Sequence, residues 1–440
     1  MKKMNKTLPY TVVFLFILLS PAYAQQKNSS ALVVKDVNLI PMTQETVITN
    51  QTIVIVGERI KQLGNAESIT IPANAAIIDG KGKYLMPGMA DMHAHLPGKY
   101  GQPFNLHDYL LLQLAGGVTT LRVMRGDESY LPLRDSVNQG LMIGPTMYLA
   151  CPGLRLGDST QTLDDIKQQI DTYKGQGFDF VKLVSTKNME LVQPVAEYVH
   201  SIGLKFTGHC PEDGLEIAVK AMMESIEHYK GYIDLYKKDS VKLQNLLNEM
   251  AARRLFSCPT VYWSPVAFNQ LSLNELQATY GLSYVDTAVS NLWTNKFQQR
   301  YDEQMNKDKE KFLVDKENFG KDVQIFFRIL KQMQKSGVPL LVSPSDGSFC
   351  IPGFSMVEEL KIFVHAGLTP YQALRAATYN AADFFDDLKN SGTIEVGKRT
   401  NLIVLEKNPL EDIDHIKTIY AVIKDGEFYG QREILERLKK

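Results

Sequence analysis

The stretch LMPGMADMHAHLPG, residues 85–98, decides the fold of this 440-residue chain. It predicts a short apolar strand that ends at two histidines, His93 and His95. Side chains alternate between the faces of a strand, so both imidazoles point the same way and could bind one ion such as Zn²⁺. Pro97 and Gly98 end the strand and place the pair at its C-terminal end. Alone, the two histidines could equally well be ordinary surface or core residues, so a metal site requires further ligands elsewhere in the chain.

From residue 85 onward, strands alternate with helical periodicity, which is typical of a parallel sheet covered by helices. Strands are predicted near 85–95, 117–123, 146–151, 178–184, 204–210, 224–228, 255–261 and 339–345. Helices are predicted over 163–174, 189–202, 240–252, 356–365 and 371–385. The charge-rich segment 295–335 is interpreted as a solvated helix face, with a lid as the alternative. The pattern predicts an α/β fold, a (β/α)₈ TIM-type barrel with its active site at the C-terminal strand ends.

Strand-like segments also flank the barrel on both sides. Val- and Ile-rich segments at 31–42, 52–63 and 76–79 precede it, and segments at 402–405 and 420–423 follow it. We expect these two groups to join in one small, discontinuous β-sandwich domain. The predicted organisation is a signal peptide over 1–24, β-sandwich segments over 25–84 and 391–440, and a hydrolase barrel over 85–390.

The first residues resemble a secretory signal. Lys2, Lys3 and Lys6 precede an apolar run over 8–19, and Ala22 and Ala24 form a small-x-small cleavage pattern. The run is short for a membrane span, although an uncleaved anchor is the alternative. We expect cleavage after Ala24, export to the periplasm or medium, and no stable membrane span in the mature chain.

The composition is that of an ordinary enzyme. The net charge is −1 and 22% of residues are charged, so no basic excess points to nucleic acid. The sequence is compatible with a homo-oligomer but does not select an oligomeric state. Four widely spaced cysteines predict buried free thiols with at most one disulfide, whose pairing the sequence does not select: Cys151, Cys210, Cys258 and Cys350.

Residues capable of binding metal recur at the predicted strand ends. Lys182 lies inside the fourth strand, His209 and His228 end the fifth and sixth, and Asp346 ends the eighth. Each has an ordinary structural interpretation alone: a core histidine, a turn aspartate, or a lysine that extends to the rim. Together with His93 and His95, however, four of the eight histidines fall at strand ends, which favours a metal site.

The sequence resembles the amidohydrolase superfamily, in the branch of imidazolonepropionase-like proteins and Xaa-Pro or Xaa-Arg dipeptidases. The resemblance covers essentially the whole mature chain. The matching segments are MPG and DMHAH within 86–95, GVTT at 117–120, FVKL at 180–183, GH at 208–209, IEH at 226–228, SD at 345–346, AGLTP at 366–370, AAT at 376–378 and LIVL at 402–405. The chain departs from the usual pattern after Arg122, where relatives carry aspartate, and at Thr400-Asn401.

The resemblance implies a binuclear metal centre. One ion would be held by His93, His95 and Asp346, the second by His209 and His228, and Lys182, carboxylated by CO₂, would bridge both. An ammonium facing a dication would cost roughly 8 kcal/mol at 4 Å and an effective dielectric constant of 20, whereas a carbamate supplies an anionic oxygen to each ion. The histidines favour Zn²⁺, while Mn²⁺, Co²⁺ or Fe²⁺ would also fit. A mononuclear site without the lysine is the alternative.

The implied activity is hydrolysis of an amide C–N bond by a metal-bridged hydroxide. The ions would lower the pKa of water from 15.7 to about 7, and Asp346 would act as general base and then general acid. Small peptides, including dipeptides, or N-acyl amino acids are the expected substrates, and Tyr229 and Arg122 are candidate substrate contacts. The alternatives are a cyclic amide or lactone hydrolase and, on the same scaffold, a non-catalytic binding protein.

Overall fold

The N-terminal part of the molecule is a set of five strands. The computed structural model describes residues 31–98, 101–157, 161–211 and 214–438, so the predicted signal peptide lies outside the described residues. The strands are β1 (Leu32–Leu39), β2 (Ile48–Val56), β3 (Arg59–Asn65), β4 (Ala76–Asp79) and β5 (Tyr84–Pro87). Strand β1 pairs antiparallel with β2 and parallel with both β4 and β5.

Eight further strands form two sheets in which every pair is parallel. They are β6 (Met89–Ala94), β7 (Val118–Val123), β8 (Thr146–Leu149), β9 (Leu154–Leu156), β10 (Phe180–Thr186), β11 (Lys205–His209), β12 (Ser225–Glu227) and β13 (Phe256–Cys258). One sheet has the order β6-β7-β8 and the other β13-β12-β11-β10-β9. A parallel bridge between Ala150 and Phe180 connects the two sheets. The alternation of parallel strands and helices agrees with the α/β fold expected from the sequence.

The predicted eighth barrel strand, 339–345, is not a regular strand. Leu340 forms an isolated parallel bridge with Ser257 on β13, and the Met92 amide donates a hydrogen bond to the Val342 carbonyl. Pro339 and Pro344 have no amide hydrogen, which limits the ladder that this segment can form. The segment nevertheless lies between β13 and β6, at the position where the eighth strand was expected.

Fifteen α-helices are present in the part of the chain that the structure describes. They are α1 (Leu106–Ala115), α2 (Tyr130–Asn138), α3 (Leu163–Gln176), α4 (Val192–Ser201), α5 (Leu215–Lys220), α6 (Lys230–Lys238), α7 (Ser240–Ala252), α8 (Trp263–Ala267), α9 (Leu273–Gln277), α10 (Thr287–Lys307), α11 (Lys309–Ser336), α12 (Met356–His365), α13 (Pro370–Ala377), α14 (Tyr379–Phe384) and α15 (Gln431–Arg437). Short 3₁₀ helices occupy Met189–Leu191, Leu282–Tyr284 and Ile413–Lys417.

Most predicted helices are confirmed, and two differ for local reasons. The predicted helix 371–385 divides into α13 and α14 because Thr378 leaves the helical region, with φ −129° and ψ −82°. The charge-rich segment forms two long helices, α10 and α11, because Asp308 ends the first and caps the second by accepting from the Lys311 amide. None of the described helices is both long and apolar enough to cross a membrane.

Three C-terminal strands join the five N-terminal strands in one sheet. They are β14 (Leu402–Leu405), β15 (Ile419–Lys424) and β16 (Glu427–Gly430). Strand β14 pairs antiparallel with β5, so the sheet order is β16-β15-β14-β5-β1-β2-β3, with β4 beside β1. The two ends of the chain thus share one branched eight-stranded sheet, where the two facing sheets of a sandwich were expected. Because β5 leads directly into β6, this sheet fixes the start of the strand that carries His93.

All four cysteines are free thiols. Three are buried and Cys210 is half-buried, as the wide spacing in the sequence predicted. Burial raises the pKa of both Cys151 and Cys210 to about 12, so these thiols are protonated at neutral pH.

We expect the pair of His200 and Glu224 to make stability depend on pH. His200 Nε2 lies 3.1 Å from Glu224 Oε1, and its hydrogen bond to this carboxylate raises the His200 pKa. A raised folded-state pKa means that the stabilisation is complete below about pH 6.5 and is lost as the pH rises through the folded value. His200→Gln should therefore lower stability by about 0.5 kcal/mol at pH 5.5 and by less at pH 8.5, measured by urea unfolding. A larger loss at pH 8.5 would contradict this assignment.

Candidate active site

Five of the predicted metal-binding side chains converge at the C-terminal ends of the parallel strands. The ring of His93, on β6, lies 4.8 Å from that of His228 and 5.5 Å from that of His95. The rings of His209 and His228 are 5.0 Å apart. Lys182 Nζ, on β10, lies 3.3 Å from His93 Nε2. The structure therefore brings together residues that lie up to 135 positions apart in the sequence.

The backbone near these side chains is unusual. Gly208, which precedes His209, has φ +136°, and a Cβ atom there would lie 2.1 Å from the Leu183 carbonyl oxygen. Only glycine allows β11 to approach β10 this closely. His228 itself has φ +64°, a conformation that is uncommon for a residue with a side chain and concentrates at functional sites.

Hydrogen bonds orient two of the imidazoles. His209 Nδ1 donates to the Val184 carbonyl at 2.7 Å, and His93 Nδ1 donates to Glu227 Oε2 at 2.7 Å. A carbonyl only accepts, so His209 carries its proton on Nδ1, and an ionised Glu227 would place the His93 proton on Nδ1 as well. The Nε2 lone pair of each ring is consequently available to a metal ion.

The other two histidines differ in their surroundings. His228 Nδ1 lies 2.6 Å from Thr260 Oγ1, a hydroxyl that can serve as either donor or acceptor. His95 Nδ1 is buried and has no hydrogen-bond partner among the described residues. A buried ring nitrogen without a partner is costly, and a metal ion would satisfy one of the nitrogens of this ring.

The electrostatics of the site favour neutral imidazoles. Burial, together with the nearby Lys182 charge, lowers the pKa of His209 to about 4 and holds the pKa of His93, His95 and His228 well below the usual range. Burial lowers the Lys182 pKa to about 7, with Glu227 opposing the shift. A large fraction of this lysine is therefore an uncharged amine at neutral pH, the form that reacts with CO₂.

Asp346 is held by contacts that extend to helix α10. Removal from water, with a smaller contribution from the nearby Asp91 carboxylate, raises its pKa to about 7, and a hydrogen bond from Gln102 opposes the shift. Gln102 Oε1 in turn accepts from Trp293 Nε1, on α10, at 2.8 Å. Helix α10 thus reaches the Asp346 side of the site through Gln102. An aspartate with a pKa near neutrality is suited to both accept and release a proton.

Comparison with known proteins identifies the family. Residues 84–428 match the amidohydrolase family. The chain belongs to the amidohydrolase family. Two curated relatives are an imidazolonepropionase of Geobacillus kaustophilus, 24% identical over 423 residues that cover 87% of this chain and 90% of the relative, and an adenine deaminase of Staphylothermus marinus. The match to the deaminase, 32% identical over 97 residues, covers 22% of this chain and only 16% of the deaminase.

Solved structures support the same placement of the fold. A Xaa-Pro dipeptidase with bound methionine has a TM-score of 0.67 and 21% identity, covering 91% of this chain and 100% of the dipeptidase. A bottromycin amidohydrolase has a TM-score of 0.70 and 21% identity, and the match covers 92% of this chain and 88% of the bottromycin amidohydrolase. This amidohydrolase therefore has a TIM-barrel-like α/β fold, it falls in the imidazolonepropionase-like branch, and it is an enzyme that acts on carbon–nitrogen bonds.

The structure corrects the expected role of Arg122 in this amidohydrolase. Its side chain is fully buried, and every nitrogen donates to the protein: Nε to the Met92 carbonyl at 2.5 Å, Nη1 to Ser225 Oγ at 2.6 Å and Nη2 to Glu227 Oε1 at 2.8 Å. Its guanidinium also lies 4.6 Å from the centre of the Phe384 ring. Arg122 therefore has a structural role beneath the site, in place of the expected contact with substrate.

Tyr229 packs beside the site, and its role as a substrate contact stays a prediction. Although it follows His228 directly, it is buried, and its ring lies 4.9 Å from that of Phe326 on α11. Burial raises the pKa of its hydroxyl to about 12, so it is protonated at neutral pH.

Sequence reasoning missed two carboxylates that support the site. Glu227 was recognised only as part of a family motif, although a carboxylate inside a three-residue buried strand is itself a signal of a polar partner. Glu359, on α12, accepts from the Val261 and Tyr262 amides at 2.8 and 2.7 Å and so holds the loop that carries Thr260. No sequence pattern indicates Glu359, because it lies on an ordinary amphipathic helix.

Proposed function

We propose that this enzyme hydrolyses the amide C–N bond of a small peptide or N-acyl amino acid in a metal-dependent reaction. The observation that carries the proposal is the convergence of four histidines and Lys182 at one strand edge, with His209 Nδ1 bonded to a carbonyl oxygen and His93 Nδ1 bonded to a carboxyl oxygen. Four imidazoles at this spacing have no structural function that apolar side chains would not serve better.

The donor set fits two divalent cations. His93, His95 and Asp346 would hold one ion, and His209 and His228 the other, with Zn²⁺ the cation that suits imidazole ligands best. The unpartnered His95 Nδ1 and the low pKa values of the histidines support this assignment. When bound, the ions would lower the pKa of water and polarise the amide carbonyl.

Lys182 is proposed to be carboxylated on Nζ. Carbamate formation joins the amine nitrogen to CO₂ and releases one proton, which requires the uncharged amine. Burial provides that amine by lowering the Lys182 pKa to about 7. The product is an anion whose two oxygens could each face one cation, which removes the repulsion that an ammonium would create there.

Asp346 is proposed to move the proton. It would accept a proton from the attacking water and then deliver it to the leaving nitrogen, which requires a pKa near the working pH. Its raised pKa of about 7 supports this role, and the hydrogen bond from Gln102 orients the carboxyl group. Asp346 would therefore supply acid–base catalysis at a site that also positions the amide of the substrate.

A cyclic amide or lactone is the second candidate substrate. The match to an imidazolonepropionase along 87% of this chain favours a cyclic substrate, whereas the likeness to a Xaa-Pro dipeptidase is one of fold. Both reactions use the same proposed centre, so a panel of substrates must distinguish them.

We also propose that the parallel strands together with segment 339–345 make up a (β/α)₈ barrel over residues 85–390. Residues 25–84 and 391–440 would form the attached β domain. Residues 1–24 would direct export and be removed after Ala24. Determination of the N-terminal residue of the protein recovered from the periplasm of a bacterial host tests the export proposal, with Gln25 expected.

The first experiment is metal analysis of the purified protein with a substrate panel. Elemental analysis should find close to two divalent ions per chain, and dipeptides or N-acyl amino acids should be hydrolysed faster than lactones and cyclic amides. Removal of metal with a chelator should abolish hydrolysis, and Zn²⁺ should restore it. Full activity in protein stripped of metal would overturn the proposal.

A further inference from the structure

A network of buried polar groups lies beneath His93. Glu227 accepts from His93 Nδ1 through Oε2 and from both Arg122 Nη2 and Ser225 Oγ through Oε1, the last at 2.5 Å. Ser225 Oγ also accepts from Arg122 Nη1, and Arg122 Nε donates to the Met92 carbonyl, one residue before His93. All four side chains are at most 1% exposed. We call Arg122, Ser225 and Glu227 the buried clamp.

The same region contains a group that could be taken for a metal site of its own. Ligand atoms of His93, Glu227 and Cys258 all lie within 4.8 Å of one another, and all three residues are buried. The Arg122 guanidinium, however, lies 2.8 Å from Glu227 Oε1 and already neutralises the carboxylate. A cation beside this guanidinium would be repelled at short range in a medium of low dielectric constant. The arrangement therefore favours an orienting role over a ligand role for Glu227.

We propose that the buried clamp is a positioning device that fixes the tautomer and the ring orientation of His93, so that His93 Nε2 faces the site. Glu227 holds the proton on Nδ1, and Arg122 and Ser225 hold Glu227 in place. Arg122 also anchors the backbone at Met92, so one guanidinium sets both the strand and the carboxylate behind His93. This inference rests on the proposed metal centre, but the tautomer that it assigns is a property of the metal-free protein.

The physical reasoning follows from what a carboxylate does to an imidazole. A carboxylate hydrogen-bonded to one ring nitrogen fixes the tautomer and increases the basicity of the other nitrogen, and loss of such a partner typically weakens metal affinity 10- to 100-fold. Glu227 needs Arg122 because a buried carboxylate that has lost its hydration is costly unless a cation and hydrogen-bond donors replace the water.

The test uses paired substitutions that leave no buried charge unpaired. Arg122→Met with Glu227→Met removes the clamp, and Arg122→Met with Glu227→Gln restores an acceptor opposite His93 Nδ1. Zn²⁺ affinity is measured by competition with a chromophoric chelator, and folding by thermal unfolding of the metal-free proteins. Cys258→Ala is the control for a metal site at His93, Glu227 and Cys258.

We expect the variant with Arg122→Met and Glu227→Met (Met/Met) to bind Zn²⁺ 10- to 100-fold more weakly than the wild type. The variant with Arg122→Met and Glu227→Gln (Met/Gln) should recover most of this loss. Cys258→Ala should bind Zn²⁺ within threefold of the wild type. Met/Met affinity within threefold of the wild type would overturn the proposal. A large loss of affinity in Cys258→Ala would also overturn it and would identify the group as a metal site instead.

A second readout does not depend on metal or on the folding of the clamp variants. Long-range ¹H–¹⁵N correlation of the metal-free wild type labelled with ¹⁵N-histidine reports the tautomer of each ring, and His93→Gln identifies the His93 signals. Protonation of Nδ1 supports the clamp, and protonation of Nε2 alone overturns it. Absence of metal binding by the wild type would instead refute the proposed function, and the tautomer result would still decide the role of Glu227.

Discussion

Lys182→Ala should remove bound metal and hydrolysis together. The substitution deletes the only lysine among the converging side chains described here, and with it the proposed bridging carbamate. Without bound ions, the pKa of the attacking water returns from about 7 toward 15.7, so kcat should fall by at least about 10³-fold. Elemental analysis and initial rates on the best substrate of the panel measure both effects.

Two comparisons make this result specific. Lys205→Ala removes a lysine at the start of β11 that pairs with Asp386, and should leave metal content and kcat unchanged. Reloading of metal-free wild type should improve when bicarbonate is added, because carbamate formation consumes CO₂, whereas Lys182→Ala should not respond. Two ions per chain in Lys182→Ala would contradict the bridging role and favour the mononuclear alternative.

Gly208→Ala should have the largest effect on stability. The added Cβ atom would lie 2.1 Å from the Leu183 carbonyl oxygen and 2.6 Å from the Leu183 nitrogen, in a backbone conformation with φ +136°. Because these contacts are with backbone atoms, no rotation of a side chain relieves them, and β10 must separate from β11. Overpacking and backbone strain together should cost about 3–5 kcal/mol, measured by urea or thermal unfolding.

Gly203→Ala is the matched control. Gly203 also has positive φ, +78°, but a Cβ atom there meets nothing within 4 Å. Gly203→Ala should therefore lose only about 1 kcal/mol of stability, the cost of holding alanine in the left-handed conformation. Equal losses in the two variants would show that conformation alone, rather than the contact between β10 and β11, explains the requirement for glycine at position 208.

Much of the fold could be predicted because its signals are local. The two-residue period of strands places His93 and His95 together, and Thr369 and Pro370 mark the start of α13, where Thr369 caps the helix with Gln372. Segment 339–345 was less predictable, because its apolar residues suggest a strand while Pro339 and Pro344 limit its hydrogen bonds. The single sheet at the chain ends depends on the pairing of β14 with β5, which no local pattern specifies.

The predicted site residues differ in how much the sequence could say about them. Lys182 and the histidines are recognisable because polar groups interrupt apolar strands and belong to a known family pattern. Arg122 was given the wrong role because a strand sequence does not show whether a charged side chain points toward substrate or finds a buried partner. That partner, Glu227, is 105 residues away, and only the folded arrangement of strands brings the two together.

The pairing of β5 with β14 also bears on how the chain is made. Pro87 of β5 pairs with Leu402 of β14, so roughly three hundred residues must be synthesised before this edge of the sheet is covered. During that interval β5 exposes unpaired backbone groups immediately before the strand that carries His93, and such an edge can pair with another nascent chain. Strands that are synthesised late therefore complete the sheet that the first strands began, and β5 is protected from misassociation only once β14 is in place.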